Sequence, residues 1–244
     1  KKSVSATQLD DLKSGGVDVL MGITGGAETD EAVAACDNSN GAFVYTHYSR
    51  AGYGKLQFRN DYGPAQFTAV RQAITYCLDR ASFAKTFTGG YGGVVDGAYY
   101  AGSWMYKEAA ANGMLLNAYD TSADTAIAVL EADGWIYDAN GEPYVEGVRY
   151  KKIPAEYADE NDKTYKSIDG AYVTTKVGDD YYMPLVLNWY GTTDNPFSDL
   201  LVTDFEQGAN IAAAGIVIQK TTGDFNPMLD EFYQQAVYGF YSGT

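Results

Sequence analysis

One stretch, residues 184–221, limits the fold more than any other. PLVLNWY (184–190) is a short apolar run rich in strand formers, and IVIQKT (216–221) is a second. Between them, 196–214 reads as a helix. Parallel neighbours need a crossover of about a dozen residues or more, usually a helix, whereas a tight turn joins antiparallel ones. The order strand, helix, strand therefore predicts a parallel pair, and with it an α/β chain.

Residues 66–79 carry the strongest helical pattern, with Phe67, Val70, Ile74, Tyr76, Cys77 and Leu78 at three-to-four spacing. Asp79-Arg80 breaks it, and Ser82 is expected to cap a short helix through Phe87. Upstream, 5–14 reads as an amphipathic helix capped by Ser5 or Thr7, 17–23 (VDVLMGI) as a buried strand, and 28–37 as a helix capped by Thr29. Residues 41–48 (GAFVYTHY) and 53–59 (YGKLQFR) read as strands. Helices are expected at 104–111, at 122–133 with Thr121 or Ser122 as cap and Gly134 as stop, and at 225–236. The polar stretch 136–182, with hairpin signals DANGEPY and VGDDYY, predicts a β-rich insertion on the surface. Residues 89–103 hold six glycines and read as a loop.

Charge narrows the function. With 17 basic against 32 acidic residues the net charge is −15, a field that repels phosphates. Nucleic acid and anionic membrane surfaces are poor partners for it. No stretch of about 18 apolar residues is present. The chemistry of catalysis is missing as well. His47 stands alone, no serine sits in a G-x-S-x-G elbow, and neither Cys36 nor Cys77 lies in an electropositive segment. The two cysteines permit one disulfide that spacing does not establish. GGYGG lacks the lysine and hydroxyl of a phosphate cradle. Three His and Cys residues do not make a four-ligand zinc site. DENDK (159–163) and DANGE (138–142) do not continue as calcium loops and read as solvated turns. The expectation is a protein that is not an enzyme, with no cofactor and no metal.

The run FTAVRQAITYCLDRASFAKTFTGGYG (67–92) is similar to the signature of solute-binding protein family 5, the dipeptide, oligopeptide and nickel group, through Val70, Arg71, Ala73, Ile74, Asp79 and Arg80. TQLDDLKSGGVDVL (7–20), YDTSADTAIAVLEADGW (119–135) and ANIAAAGIVIQKTTGDFNPMLDEFY (209–233) resemble further segments of that family, in its order. The resemblance implies a type II periplasmic-binding-protein-like lobe, a mixed sheet flanked by helices, with 1–244 as a single lobe of a two-lobe protein and 136–182 as its insertion. The partner lobe is then expected before Lys1 and partly after Thr244. It also implies capture of an oligopeptide or similar small solute and delivery to the membrane permease of an ABC importer. The expected protein is a monomer outside the cell membrane, as a cell-surface lipoprotein or in a periplasm. Arg71 and Asp79 are read as structural.

Within that expectation the ligand surface is the glycine-rich loop with Tyr91, Asp96, Tyr99, Tyr100 and Trp104, because binding groups concentrate on loops held by a rigid frame. Trp189, Tyr190 and Asn195, just after a strand, form a second set, since open α/β sheets place ligands at strand ends. An oligosaccharide-binding subunit, part of a secreted carbohydrate-active enzyme, and an interaction module that uses its 22 tyrosines are the alternatives.

Overall fold

The computed structural model describes residues 7–48, 51–61, 63–114, 117–155, 174–235 and 238–243. Helices α1 (Gln8–Lys13) and α2 (Gly26–Asp37) come first, then β1 (Lys55–Phe58), a 3-10 turn (Pro64–Gln66), α3 (Thr68–Cys77), α4 (Arg80–Thr88), α5 (Trp104–Ala111) and α6 (Ala123–Ala132). Next are β2 (Tyr150–Ile153), β3 (Thr175–Val177), β4 (Asp180–Pro184), β5 (Val186–Thr192), α7 (Pro196–Phe205), α8 (Ala209–Ala213), β6 (Val217–Gly223), α9 (Phe225–Asp230), a π turn (Glu231–Gln235) and β7 (Phe240–Gly243). Among the described residues no helix is long and apolar enough to cross a membrane.

The larger sheet has the order β1-β7-β5-β6, and the smaller has β2-β4-β3. As the crossover predicts, β5 and β6 are parallel, with Trp189 opposite Lys220 and Tyr190 opposite Thr221. Strand β7 also runs parallel to β5, and β1 closes the edge antiparallel to β7. Alternation sends Leu187, Trp189 and Phe240 to one face and Tyr190 and Tyr241 to the other.

The first face is the main core. Helix α3 lays Val70, Ala73, Ile74 and Cys77 inward, the i, i+3, i+4, i+7 stripe of an amphipathic helix, against Ala126 and Leu130 of α6. Ser122 caps α6 by accepting from Thr125 N–H, as expected. The second face packs Tyr190 and Tyr241 against Met228, Phe232 and Tyr238 from α9 and the segment after it. Cys36 and Cys77 are both free thiols.

Several expectations change. Residues 17–23 and 41–48 form no paired strand; a bend at 18 and a turn and bends over 41–43 interrupt them, and several of their apolar side chains face solvent: Val19 is 71% exposed, Met21 78%, Val44 88% and Tyr48 78%. Strand propensity alone does not make a strand, because the backbone groups need a neighbouring ladder. Gly25, not Thr29, precedes α2; Thr29 lies inside the helix and its hydroxyl donates back to Gly25 O. Asp79, not Ser82, caps α4, accepting from Ser82 N–H. The helix expected over 196–214 is two helices, with extended Gly208 between them, where a Cβ would collide with the Asp204 carbonyl. Strand β7 was not expected at all. Of the 136–182 stretch, the DANGEPY hairpin closes through Tyr137 and Pro143, and VGDD turns β3 into β4, but 156–173 lies outside the described residues.

Two features fix the smaller sheet to the larger. Leu185 joins β4 directly to β5; its N–H donates to Arg149 O and its carbonyl accepts from Val217 N–H. Arg149 itself is 3% exposed. Its guanidinium donates to Ala214 O, Trp135 O and Glu131 Oε1, at 3.0, 2.9 and 3.2 Å, and its centre stands 4.0 Å from the Tyr144 ring centroid. A buried charge is tolerated when its donors are satisfied in this way.

Candidate functional site

Helix crossovers leave the carboxyl ends of parallel strands open, and ligands of α/β sheets gather there. In this chain those ends are Thr192, Gly223 and Gly243, with Lys55 paired opposite Gly243. One row crosses all four strands on the second face: Gln57, Tyr241, Tyr190 and Thr221.

The row carries a closed polar circuit. Gln57 Nε2 donates to Tyr233 Oη at 2.9 Å. Tyr241 Oη donates to Gln57 Oε1 at 3.2 Å, which leaves Tyr233 as donor in the 3.3 Å hydroxyl pair. That bond to Tyr241, with burial, raises the Tyr233 phenol above its usual range. Lys55 Nζ donates to Gln57 Oε1 at 2.7 Å and stands 5.9 Å from the Tyr241 ring centroid. Lys55 and Tyr233 are exposed, and no carboxylate pairs with Lys55 among the described residues. The arrangement offers a cation, a phenol and an amide to a solute. Among these groups none is an activated nucleophile with a base beside it.

Tyr190 and Asn195 reach this edge. Tyr190 is 4% exposed and donates to Asp224 O at 3.1 Å, and burial raises its phenol. Gly223 is required next to it, since a Cβ there collides with the Tyr190 hydroxyl. Asn195 caps α7: its Oδ1 accepts from Phe197 N–H and its Nδ2 donates to Thr192 Oγ1. Trp189 does not belong with them. It points to the opposite face with no exposed surface, 5.3 Å from Phe205 and 6.1 Å from Phe240 between ring centroids, and its indole N–H donates to Ser242 Oγ. Neighbours in a strand alternate faces, so the side chain before Tyr190 is core.

The glycine-rich loop runs back along α4, a helix about 13 Å long. At its start, Gly89 ends α4 with φ +64° and touches Gly26 backbone to backbone, where neither position has room for a Cβ. Phe197 at the head of α7 packs on Phe83, Phe87 and Gly54, so this end of α4 adjoins the strand edge. Tyr91 is 61% exposed and donates to Asp30 Oδ1 at 3.0 Å. At the far end, Asp96 pairs with Arg80 at 2.7 Å, the first residue of α4, and Arg80 also donates to Tyr119 O. The expected cationic partner of Asp96 is thus supplied from within the chain. Tyr99, Tyr100 and Trp104 follow Asp96; Tyr99 and Trp104 are exposed and Tyr100 is half-buried against Gly102. The eight residues do not form one cluster.

Sequence reasoning missed Lys55, Gln57, Tyr233 and Tyr241. Their signal was slight. Lys55 and Gln57 share a face of a strand that was expected, but their partner strand was not.

Two clefts lie elsewhere. One, of ≈ 270 Å³, is lined by Phe58, Thr68, Arg71, Gln72, Thr75 and Tyr119. The other, of ≈ 180 Å³ between α4 and α7, is lined by residues that include Ser82, Thr86, Thr203 and Asp204, whose carboxyl is raised by burial and by Asp79.

Residues 3–173 match the bacterial extracellular solute-binding proteins, family 5 Middle. The chain belongs to this family. Its fold is shared with NikA from Brucella suis in complex with Fe(III)-EDTA, at 14% identity and TM-score 0.62, and with lactococcal OppA holding an endogenous peptide in the closed conformation, at 14% and 0.59. It is shared too with AppA from Bacillus subtilis in complex with a nonapeptide, at 15% and 0.54. Each likeness covers 98% of this chain but 38–39% of the other, so this family 5 chain spans about two fifths of their length. No curated protein matches it in sequence. The architecture is that of type II periplasmic binding proteins, and the family is one of extracellular solute binding.

Proposed function

We propose that residues 1–244 are one lobe of a two-lobe protein that captures a peptide-like solute outside the cell membrane, as a cell-surface lipoprotein or in a periplasm, and delivers it to an ABC permease. The supporting observation is the Lys55–Gln57–Tyr233–Tyr241 circuit at the open carboxyl edge of a family 5 fold. An extended peptide presents alternating carbonyls and N–H groups, and this circuit supplies both donors and an acceptor to such a backbone. Lactococcal OppA and AppA hold peptides on the same fold. Of the loop aromatics, exposed Tyr91 lies at the end of α4 that adjoins this edge and adds an aromatic face for the same solute, whereas Tyr99, Tyr100 and Trp104 lie beyond the far end and contact only a longer one. Asp96 anchors the loop through Arg80 rather than touching the solute. The partner lobe lies outside this chain and closes on the ligand, which shifts the population toward the closed state by its greater affinity for it. The protein works as a monomer, with no covalent step and no cofactor.

The test is calorimetry on the two-lobe protein with pools of short peptides, oligosaccharides and nickel. Binding of peptides alone, lowered about tenfold or more by Gln57→Leu, supports the reading. Binding of sugars or nickel alone overturns the peptide, and peptide binding untouched by Gln57→Leu overturns the site.

A further inference from the structure

The cleft at Arg71 has no part in the circuit at the carboxyl edge. Phe58 stands at the opposite end of β1 from Lys55, about 10 Å away along the strand. Arg71 is also unlike the other described arginines. Arg59, Arg80 and Arg149 each pair with a carboxylate. Arg71 has none among the described residues, in a chain with 32 acidic side chains. Burial lowers its pKa from the usual value, a sign of partial desolvation with no counter-charge.

The bonding of the guanidinium shows what is left over. Nη1 donates to Ala65 O at 2.7 Å and to Gln66 O at 2.8 Å, and Nη2 donates to Thr68 Oγ1 at 2.9 Å. A guanidinium has five N–H donors. The remaining two, on Nε and Nη2, have no acceptor among the described residues. Nε and Nη2 form the side of the fork that matches a carboxylate with two parallel bonds. The three bonds already made hold the fork in place, so a ligand meets it preorganised.

The walls specify the rest. Phe58 and Tyr119 offer aromatic surface, while Thr68, Thr75 and Gln72 offer hydroxyls and an amide. Gln72 Nε2 stands 3.5 Å from Tyr119 Oη, and Tyr119 packs edge-on to Tyr76 at 4.9 Å. A volume of ≈ 270 Å³ suits a small molecule or the end of a larger one.

We infer that this cleft is a carboxylate-binding subsite in which Arg71 grips the anion and Phe58 and Tyr119 flank its apolar body. A free aromatic acid and the carboxyl terminus of a peptide share this chemistry. The subsite does not rest on the peptide reading of the carboxyl edge.

The test is titration of the 244-residue chain with hippurate, hippuramide, benzoate and inorganic phosphate, followed by the Arg71 Nε–H resonance. Hippurate is expected to move it saturably, and hippuramide to bind at least about tenfold more weakly for want of the charge. Arg71→Lys keeps the charge but not the fork and is expected to lose about tenfold. Should that variant not fold, Thr75→Leu leaves the Arg71 bonds to Ala65, Gln66 and Thr68 in place while filling the cleft, and is expected to weaken hippurate by a similar factor. Hippurate tighter than benzoate points to a peptide terminus and the reverse to a free acid, and either order supports the subsite. Equal binding of hippurate and hippuramide, an unmoved Arg71 resonance, phosphate binding as tight as hippurate, or undiminished binding in a folded Thr75→Leu chain overturns it.

Discussion

Residues 184–192 and residues 89–114 are both rich in aromatics, yet they end in opposite surroundings. In the first, seven of nine residues are buried; in the second, Ser103 alone is. The N-terminal residues 7–48 resemble the second region, with Gly26 alone buried. The difference is not composition but neighbours. Strand β5 is flanked by β6 and β7 and covered on both faces, whereas the glycine-rich loop is held by a few tethers: Gly89 on Gly26, Tyr91 on Asp30 and Asp96 on Arg80.

The sharpest way to break the comparison is to make one substitution in both regions. Trp189→Ala empties a buried site between Phe205 and Phe240 and is expected to cost about 3–5 kcal/mol in denaturant unfolding. Trp104→Ala, at a residue already 70% exposed, is expected to stay within about 0.5 kcal/mol of the parent. Equal losses at the two positions are the result that removes the distinction.

The tether at Gly89 comes next. Gly89→Ala puts a Cβ against Gly26 at a φ of +64°, and a loss of about 1–3 kcal/mol is expected from strain and crowding together. Asp96→Asn, at a pair about one quarter exposed on each side, is expected to cost at most about 1 kcal/mol. It is also expected to speed proteolytic cleavage in 89–103 more than cleavage elsewhere, which limited digestion would show.

Asp204 gives a pH signature. Its carboxyl is raised by burial and by Asp79, so the folded chain holds the proton more tightly than the unfolded chain. The stability it contributes is complete below the ordinary value of 3.8 and is lost as pH rises through the raised value. Asp204→Asn is therefore expected to raise the melting temperature at pH 7 and to give no gain below 3.8. The smallest effect is chemical: burial pushes the Cys77 thiol up to about 12, so iodoacetamide at pH 8 is expected to label Cys36 well before Cys77.

Much of the buried region was legible in the sequence because its pattern and its environment agree. The α3 stripe, the Ser122 cap and the β5–β6 crossover each follow from spacing that needs no distant partner to interpret. VDVLMGI and GAFVYTHY have equally good strand composition, but composition is silent about whether a ladder is available. The site was harder still. Tyr190 and Asn195 were proposed from their place after a strand and do lie at the carboxyl edge, while Trp189 was included because sequence adjacency hides the alternation of faces. Gln57 and Tyr241 become neighbours only through the register of β1 on β7, which joins residues 184 positions apart in the chain.

The passage of β4 into β5 through Leu185, with Arg149 bolted beneath it, gives the smaller sheet no hinge of its own. It behaves as a lever arm on the strand that carries Tyr190. A fluorophore at the β3–β4 turn, remote from any solute, would then act as a pointer whose swing reads out reorientation of the ligand edge.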